Sequence, residues 1–280
     1  MSRGEVCRGF FSVHIHQHQI KSVHSKSNMK IFSIVIIFLA LFTLYPQFSG
    51  EQTVSKKSYH IVKGSKQPQE DTPAVKLLTS EGINCNITLY LPIGLHIHLS
   101  EKRPDTLPSN YLCVPGAYTS ISTQIEGLYI NEGLEVNSVI DTKLTGACIL
   151  GKESIEIIEF KELTPELIEA TKTDHKSLFQ QSLLVKYGQI VPCDLFGSKK
   201  NLRRAMIQFK DTFCVGESSI QVTIDEFQES LIKIGAINAV NLDMGTWSEG
   251  WYMTPDGGRV RIGEKMYSTH RQTNWIVYSR

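Results

Sequence analysis

The 280-residue chain is 41% hydrophobic and 20% charged, a balance that supports a packed core and excludes collagen, coiled coil and extensive disorder. Its 29 basic and 28 acidic side chains leave a formal net charge of +1, so no overall field draws it to nucleic acid or to anionic lipid. Nucleic acid is not expected as a partner.

The first feature in chain order is the apolar run Ile31 to Leu44, too short to span a bilayer comfortably as a helix and of the length of a signal-peptide hydrophobic region. Lys30 precedes it, Pro46 follows it, and Ser49 and Gly50 supply small residues for cleavage. On this reading residues 1–28 are a non-native upstream extension, 29–50 a signal peptide and 51–72 a polar tether. His14, His16 and His18 then lie outside the mature protein, which is exported to a periplasm, cell surface or medium and leaves the membrane once the signal is cut. A retained anchor is the alternative. Beyond the leader, Cys85, Cys113, Cys148, Cys193 and Cys214 are odd in number and carry no CxxC spacing, so buried thiols are expected, with no metal site and no cofactor.

Residues 73–280 read as one domain. Short apolar or alternating segments recur at 85–91, 111–114, 127–130, 147–150, 155–160, 183–186 and 205–209, separated by turn residues, which predicts strands. Gly151-Lys152 and Tyr187-Gly188 are hairpin connections. Between Thr164 and Gln180, Pro165 at a first-turn position and Leu167, Ile168, Leu178 and Phe179 at roughly helical spacing predict a helix. Thr223 to Glu226 forms an S/T-x-x-E capping box, and Phe227, Leu231 and Ile234 then mark one buried face of a second helix that Gly235 ends. A strand at 239–243, a turn at 256–258 and a closing strand at 275–278 complete an α+β fold with a mainly antiparallel, strand-rich body and two principal helices. His96 and His98 share one strand face at chelating spacing, but no third ligand is evident, so a polar outer face is expected.

The segment Asn241 to Trp251 has a composition unsuited to filling a core: two Gly, two Trp, hydroxyls and two carboxylates after an apolar strand. Gly lets a ligand approach the backbone, indole faces stack on sugar rings, and a strand-end carboxylate can exchange protons. An Asp that caps a turn beneath two Trp lids accounts for the same residues.

Gly235-Ala236, Ala239, Asn241-Leu242-Asp243 and Gly245 stand in the order of the GA-x-x-A-x-NLDGGGSS hallmark of the phosphodiester glycosidase family, which this chain resembles. Leu183 to Gly188 is similar to that family's P-L-L-V-K-x-G hairpin, Arg203-Arg204-Ala205-Met206 to its R-T-A-I segment, and Asn274 to Tyr278 to the ending of some bacterial members. Met244, Thr246 and Trp247 stand where the family has glycine and serine, and Pro115-Gly116-Ala117-Tyr118 only loosely matches its N-G-G-x-F element.

The resemblance implies a glycan or sugar-phosphodiester substrate in a bacterial envelope, with Asp243 as acid/base and Arg203 on the phosphodiester, a guanidinium being able to fork onto two oxygens. Arg204 is the alternative cation. Asn241, Gly245, Trp247 and Trp251 are substrate-binding candidates, Glu249 a candidate second carboxylate, and His270 a further acid/base. The competing reading is a catalytically inactive carbohydrate-binding or cell-envelope assembly protein on the same fold.

Overall fold

The computed structural model describes residues 74–280, apart from 105–108, 153, 195–196, 211 and 265–266. The leader and the polar tether expected up to residue 72 lie outside the described residues.

Antiparallel pairing throughout builds three sheets. The first has the order β1 (Val75–Glu81), β2 (Asn86–Pro92), β13 (Thr212–Ser218), β12 (Arg204–Phe209), β14 (Asn238–Asn241), β10 (Leu183–Lys186), β11 (Gln189–Ile190). The second runs β16 (Arg259–Ile262), β15 (Gly250–Met253), β4 (Asn110–Pro115), β17 (Trp275–Ser279), β3 (His96–Ser100). The third runs β6 (Leu134–Asn137), β5 (Tyr129–Asn131), β9 (Ser177–Gln181), β7 (Gly146–Leu150), β8 (Ile155–Glu159).

One apolar core joins all three sheets, with Tyr90, Leu183, Met206 and Val240 from the first, Leu112, Val114, Ile276 and Tyr278 from the second, and Tyr129, Cys148 and Phe179 from the third. Tyr278 reaches across it to donate its hydroxyl to Met206 Sδ at 3.3 Å. A second core forms where the helix α2 (Ile224–Lys233) covers the outer face of the first sheet with Phe227 and Leu231. Its start is fixed by the expected capping box: Thr223 Oγ1 accepts from Glu226 N–H, and Glu226 Oε2 accepts from Thr223 N–H at 2.8 Å. Gly235, at φ +89°, takes the left-handed conformation that ends it.

Both expected hairpins are present. Tyr187 and Gly188 sit at φ +51° and +73°, as a two-residue turn with both central residues left-handed requires. The other helix, α1 (Pro165–Thr173), starts where Thr164 accepts from Leu167 N–H, but it is shorter than the spacing suggests. Leu178 and Phe179 belong instead to β9, which lies between β5 and β7 and is buried along its whole length. A strand covered on both faces is apolar without alternation, and its Leu-Phe pair is then indistinguishable from the end of a helical stripe. All five cysteines in the described region are buried.

Candidate functional site

The site lies where the three sheets meet. β14 ends at Asn241, and the chain turns at Asp243 into the 3-10 segment Gly245–Trp247. The exit of β4 meets it there: Asp243 N–H donates to Gly116 C=O at 3.0 Å. Gln181, at the end of β9, brings in the third sheet by donating Nε2–H to the same carbonyl at 3.2 Å. Asn274, just before β17, accepts Gly116 N–H at 3.0 Å. Gly116 has little space for a side chain, since an added Cβ would stand 3.1 Å from Ile276.

The Asp243 carboxyl is 4% exposed and accepts Thr119 N–H at 2.9 Å. Thr119 Oγ1 itself accepts from Asn274 Nδ2–H at 2.7 Å and Gln272 Nε2–H at 3.2 Å. With its lone pairs taken, the Thr119 hydroxyl directs its one proton to Asp243. Burial pushes the Asp243 carboxyl well above the usual carboxylate range, against these Thr119 donors and the Met244 N–H, with Glu126 adding to the rise. Burial thus favours the protonated form, and the donors around the carboxyl fix its direction.

Beside it, Asn241 donates Nδ2–H to the Tyr118 hydroxyl at 2.9 Å, and that hydroxyl is 3.4 Å from Ser182 Oγ. Burial raises the pKa of the phenol, which also feels the Asp243 carboxyl and the Arg203 guanidinium. Met244 is half-buried at the rim, whereas Gly245 and Thr246 are exposed. Gly245 sits at φ +70°, and a Cβ there would meet nothing within 4 Å. The turn is therefore open to solvent at Gly245 and Thr246.

The structure groups Asp243, Asn241, Gly245 and Trp247 with the turn carrying His270. That turn, Tyr267–Arg271, packs on Gly245–Trp247, and His270 is exposed on it. Trp247 is buried, so the open rim is glycine and threonine rather than indole.

Arg203 is buried behind Tyr118. Its guanidinium donates to the carbonyls of Val222 at 3.2 Å and Lys199 at 2.5 Å, and burial lowers its pKa. Arg204, fully buried, donates Nε–H and Nη2–H to Glu217 Oε2 at 2.9 and 2.6 Å. Glu249 and Trp251 form a separate cluster. Arg103 holds Glu249 in a bidentate pair at 3.0 and 3.1 Å, and its guanidinium stacks 5.2 Å from the Trp251 ring and 5.5 Å from Trp275.

Tyr118, Thr119, Gln181, Ser182, Gln272 and Asn274 are the site residues that spacing does not reveal, because each comes from a stretch of chain remote from Asp243 and is brought to it only by the way the sheets meet. One local signal exists. Gly116-Ala117-Tyr118-Thr119 repeats the pattern of the 241–246 segment, small and polar residues at the exit of an apolar strand.

The match to the phosphodiester glycosidase family model covers residues 111–277, from β4 to β17, and so includes every residue of this site. The chain belongs to the phosphodiester glycosidase family. Among solved structures, it is similar to the zebrafish N-acetylglucosamine-1-phosphodiester alpha-N-acetylglucosaminidase catalytic domain, which was solved auto-inhibited by its pro-peptide. That likeness has a TM-score of 0.54 at 13% identity and covers 78% of this chain and 86% of that one. A Synechocystis protein aligns with a TM-score of 0.48 at 11% identity, over 74% of this chain and 62% of that one. No curated protein matches the chain.

Proposed function

We propose that the protein is an exported hydrolase that cleaves a sugar-1-phosphodiester or a related glycan linkage, with Asp243 as the proton donor. The observation that carries this reading is the buried Asp243 carboxyl, hydrogen-bonded by Thr119 and shifted by burial towards its acid form, in a member of this family. In the reaction, water adds across the linkage. The sugar leaves as a hemiacetal and the diester becomes a phosphomonoester. The proton of Asp243 goes to the departing oxygen and is replaced from the attacking water. Asn241 and the Tyr118 hydroxyl would bind sugar or phosphate oxygens, and the Gly245 backbone would allow the close approach. The zebrafish enzyme of the same fold acts on N-acetylglucosamine-1-phosphodiesters by its name, which supports the substrate class. Export rests on the apolar run from Ile31 to Leu44; among the described residues no helix is long and apolar enough to cross a membrane.

The test is release of free sugar from a panel of sugar-1-phosphodiesters by the full chain and by Asp243→Asn. Loss of the acid is expected to lower turnover by about two to four orders of magnitude; equal turnover removes Asp243 from the mechanism. The internal engagement of both Arg203 and Arg204 favours a second reading, a carbohydrate-binding protein without turnover. Sugar binding with no product from any diester in the panel supports that one.

A further inference from the structure

A cleft of about 610 Å³ that shares no lining residue with the Asp243 site is lined by His96 and His98 of β3, Glu132, Lys152, His175 and Ser177. β3 is the edge of the second sheet, while the other four residues come from the turns and strand start at one end of the third. The cleft therefore sits in the gap between two sheets and is built from four separate stretches of chain.

Two of its residues lie in tight turns and take the left-handed conformation those turns require. His175, after the end of α1, has φ +52°, where Gly or Asn is the usual occupant. Glu132, in the turn between β5 and β6, has φ +48°. The two turns are tied together: Glu132 N–H donates to Ser177 Oγ at 2.9 Å, and Gly133 N–H donates to Lys176 C=O at 2.9 Å. Only four described non-glycine residues have positive φ, and half of them meet in this one cleft.

The donor set selects the ligand. Among the described residues no three His, Cys, Asp or Glu side chains are placed to hold a metal ion. Three imidazoles and one ammonium face a single carboxylate, Glu132, whose charge acts on His98. His96, His175 and Lys152 line the same cleft and carry the N–H donors that an anion accepts from.

We propose that this cleft binds a phosphate-type oxyanion, either free phosphate or the phosphomonoester of a sugar, through Lys152, His96 and His175. The assignment is independent of the role of Asp243.

Titration of the full chain with inorganic phosphate, followed by calorimetry, tests it against the variants His175→Gly and Lys152→Ala. His175→Gly removes the imidazole while relieving the backbone, so the melting temperature should hold or rise while phosphate affinity at this site falls at least tenfold. Lys152→Ala should weaken binding similarly, and Asp243→Asn should leave this site unchanged. Glucose 1-phosphate binding more tightly than phosphate identifies a sugar phosphomonoester as the source, and equal binding identifies free phosphate. The proposal is overturned if His175→Gly and Lys152→Ala titrate like the parent, or if unphosphorylated glucose binds as tightly as its phosphate.

Discussion

Replacing Asp243 with asparagine separates the two forces acting on its carboxyl. The unfolded chain carries an ordinary aspartate, near 3.8, whereas in the folded chain burial raises the value well above this. Between the two values the unfolded state has lost its proton and the folded state retains it. Folding stability is therefore highest below the unfolded pKa and falls as pH rises towards the folded one, by about 1.4 kcal/mol per pH unit. The substituted amide is neutral throughout, so the variant lacks this slope. As pH rises above the unfolded value the parent should lose stability relative to Asp243→Asn, with a slope that cannot exceed the limiting value of about 1.4 kcal/mol per pH unit. An amide facing the Thr119 and Met244 N–H groups adds a cost that does not vary with pH, so the difference in slopes is diagnostic and the stability at any single pH is not. Urea unfolding in half-unit pH steps, with a constant m-value, measures it. Parallel curves would refute the reasoning. A parent that gains on the variant as pH rises would mean that the Thr119 and Met244 donors outweigh burial and that the resident form is the carboxylate.

Two further substitutions address the residues around the acid. Tyr118→Phe removes the hydroxyl that accepts Asn241 Nδ2–H, while that amide keeps its bond to Leu242 C=O at 3.0 Å, so stability should fall by only about 1 kcal/mol. A drop in kcat/KM of at least tenfold (about 1.4 kcal/mol) in the sugar-release assay places the hydroxyl at the reacting centre, and an unchanged value removes it. Arg103→Ala takes the bidentate partner from a Glu249 side chain that is only 6% exposed and should cost about 3 kcal/mol by chemical denaturation. Adding Glu249→Gln should recover part of that loss; a single-variant cost below about 0.5 kcal/mol would show that the pair does not hold this corner together.

The fold is legible in the sequence wherever local chemistry decides it. The Thr223 capping box, the Tyr187-Gly188 turn and the short apolar segments from Ala147 and from Ile155 each specify a structure within a few residues, and each is present. Leu178 and Phe179 read as helical because the burial of β9 comes from β5 and β7, strands that a local pattern cannot see. The site divides in the same way. Asp243 is marked by its own surroundings, a carboxylate at the exit of an apolar strand beside a glycine. Its direction is set by Thr119, and Thr119 in turn by Gln272 and Asn274, whose convergence on the carboxyl is fixed by how the sheets meet and not by any local pattern. Arg203 and Arg204 make the converse case. Charge suggests a substrate contact, but their partners, the Val222 and Lys199 carbonyls and Glu217, are fixed only by how β12 and β13 pair and how the chain before α2 returns.

A buried carboxyl with several donors around it would ordinarily be a strong acid, because each N–H or O–H stabilises the anion. Asp243 differs because its surroundings are supplied by rigid strand ends: β14 presents it, the exit of β4 closes over it through Gly116 and Thr119, and the residues before β17 hold Thr119 in place. Water that would otherwise solvate the charge is excluded by three sheets at once, and desolvation exceeds what the donors return. The same hydrogen bonds that fail to ionise the group fix its direction. Burial thus favours the acid form and the donors supply the aim, and the proposed protonation of one departing oxygen and not another would need both.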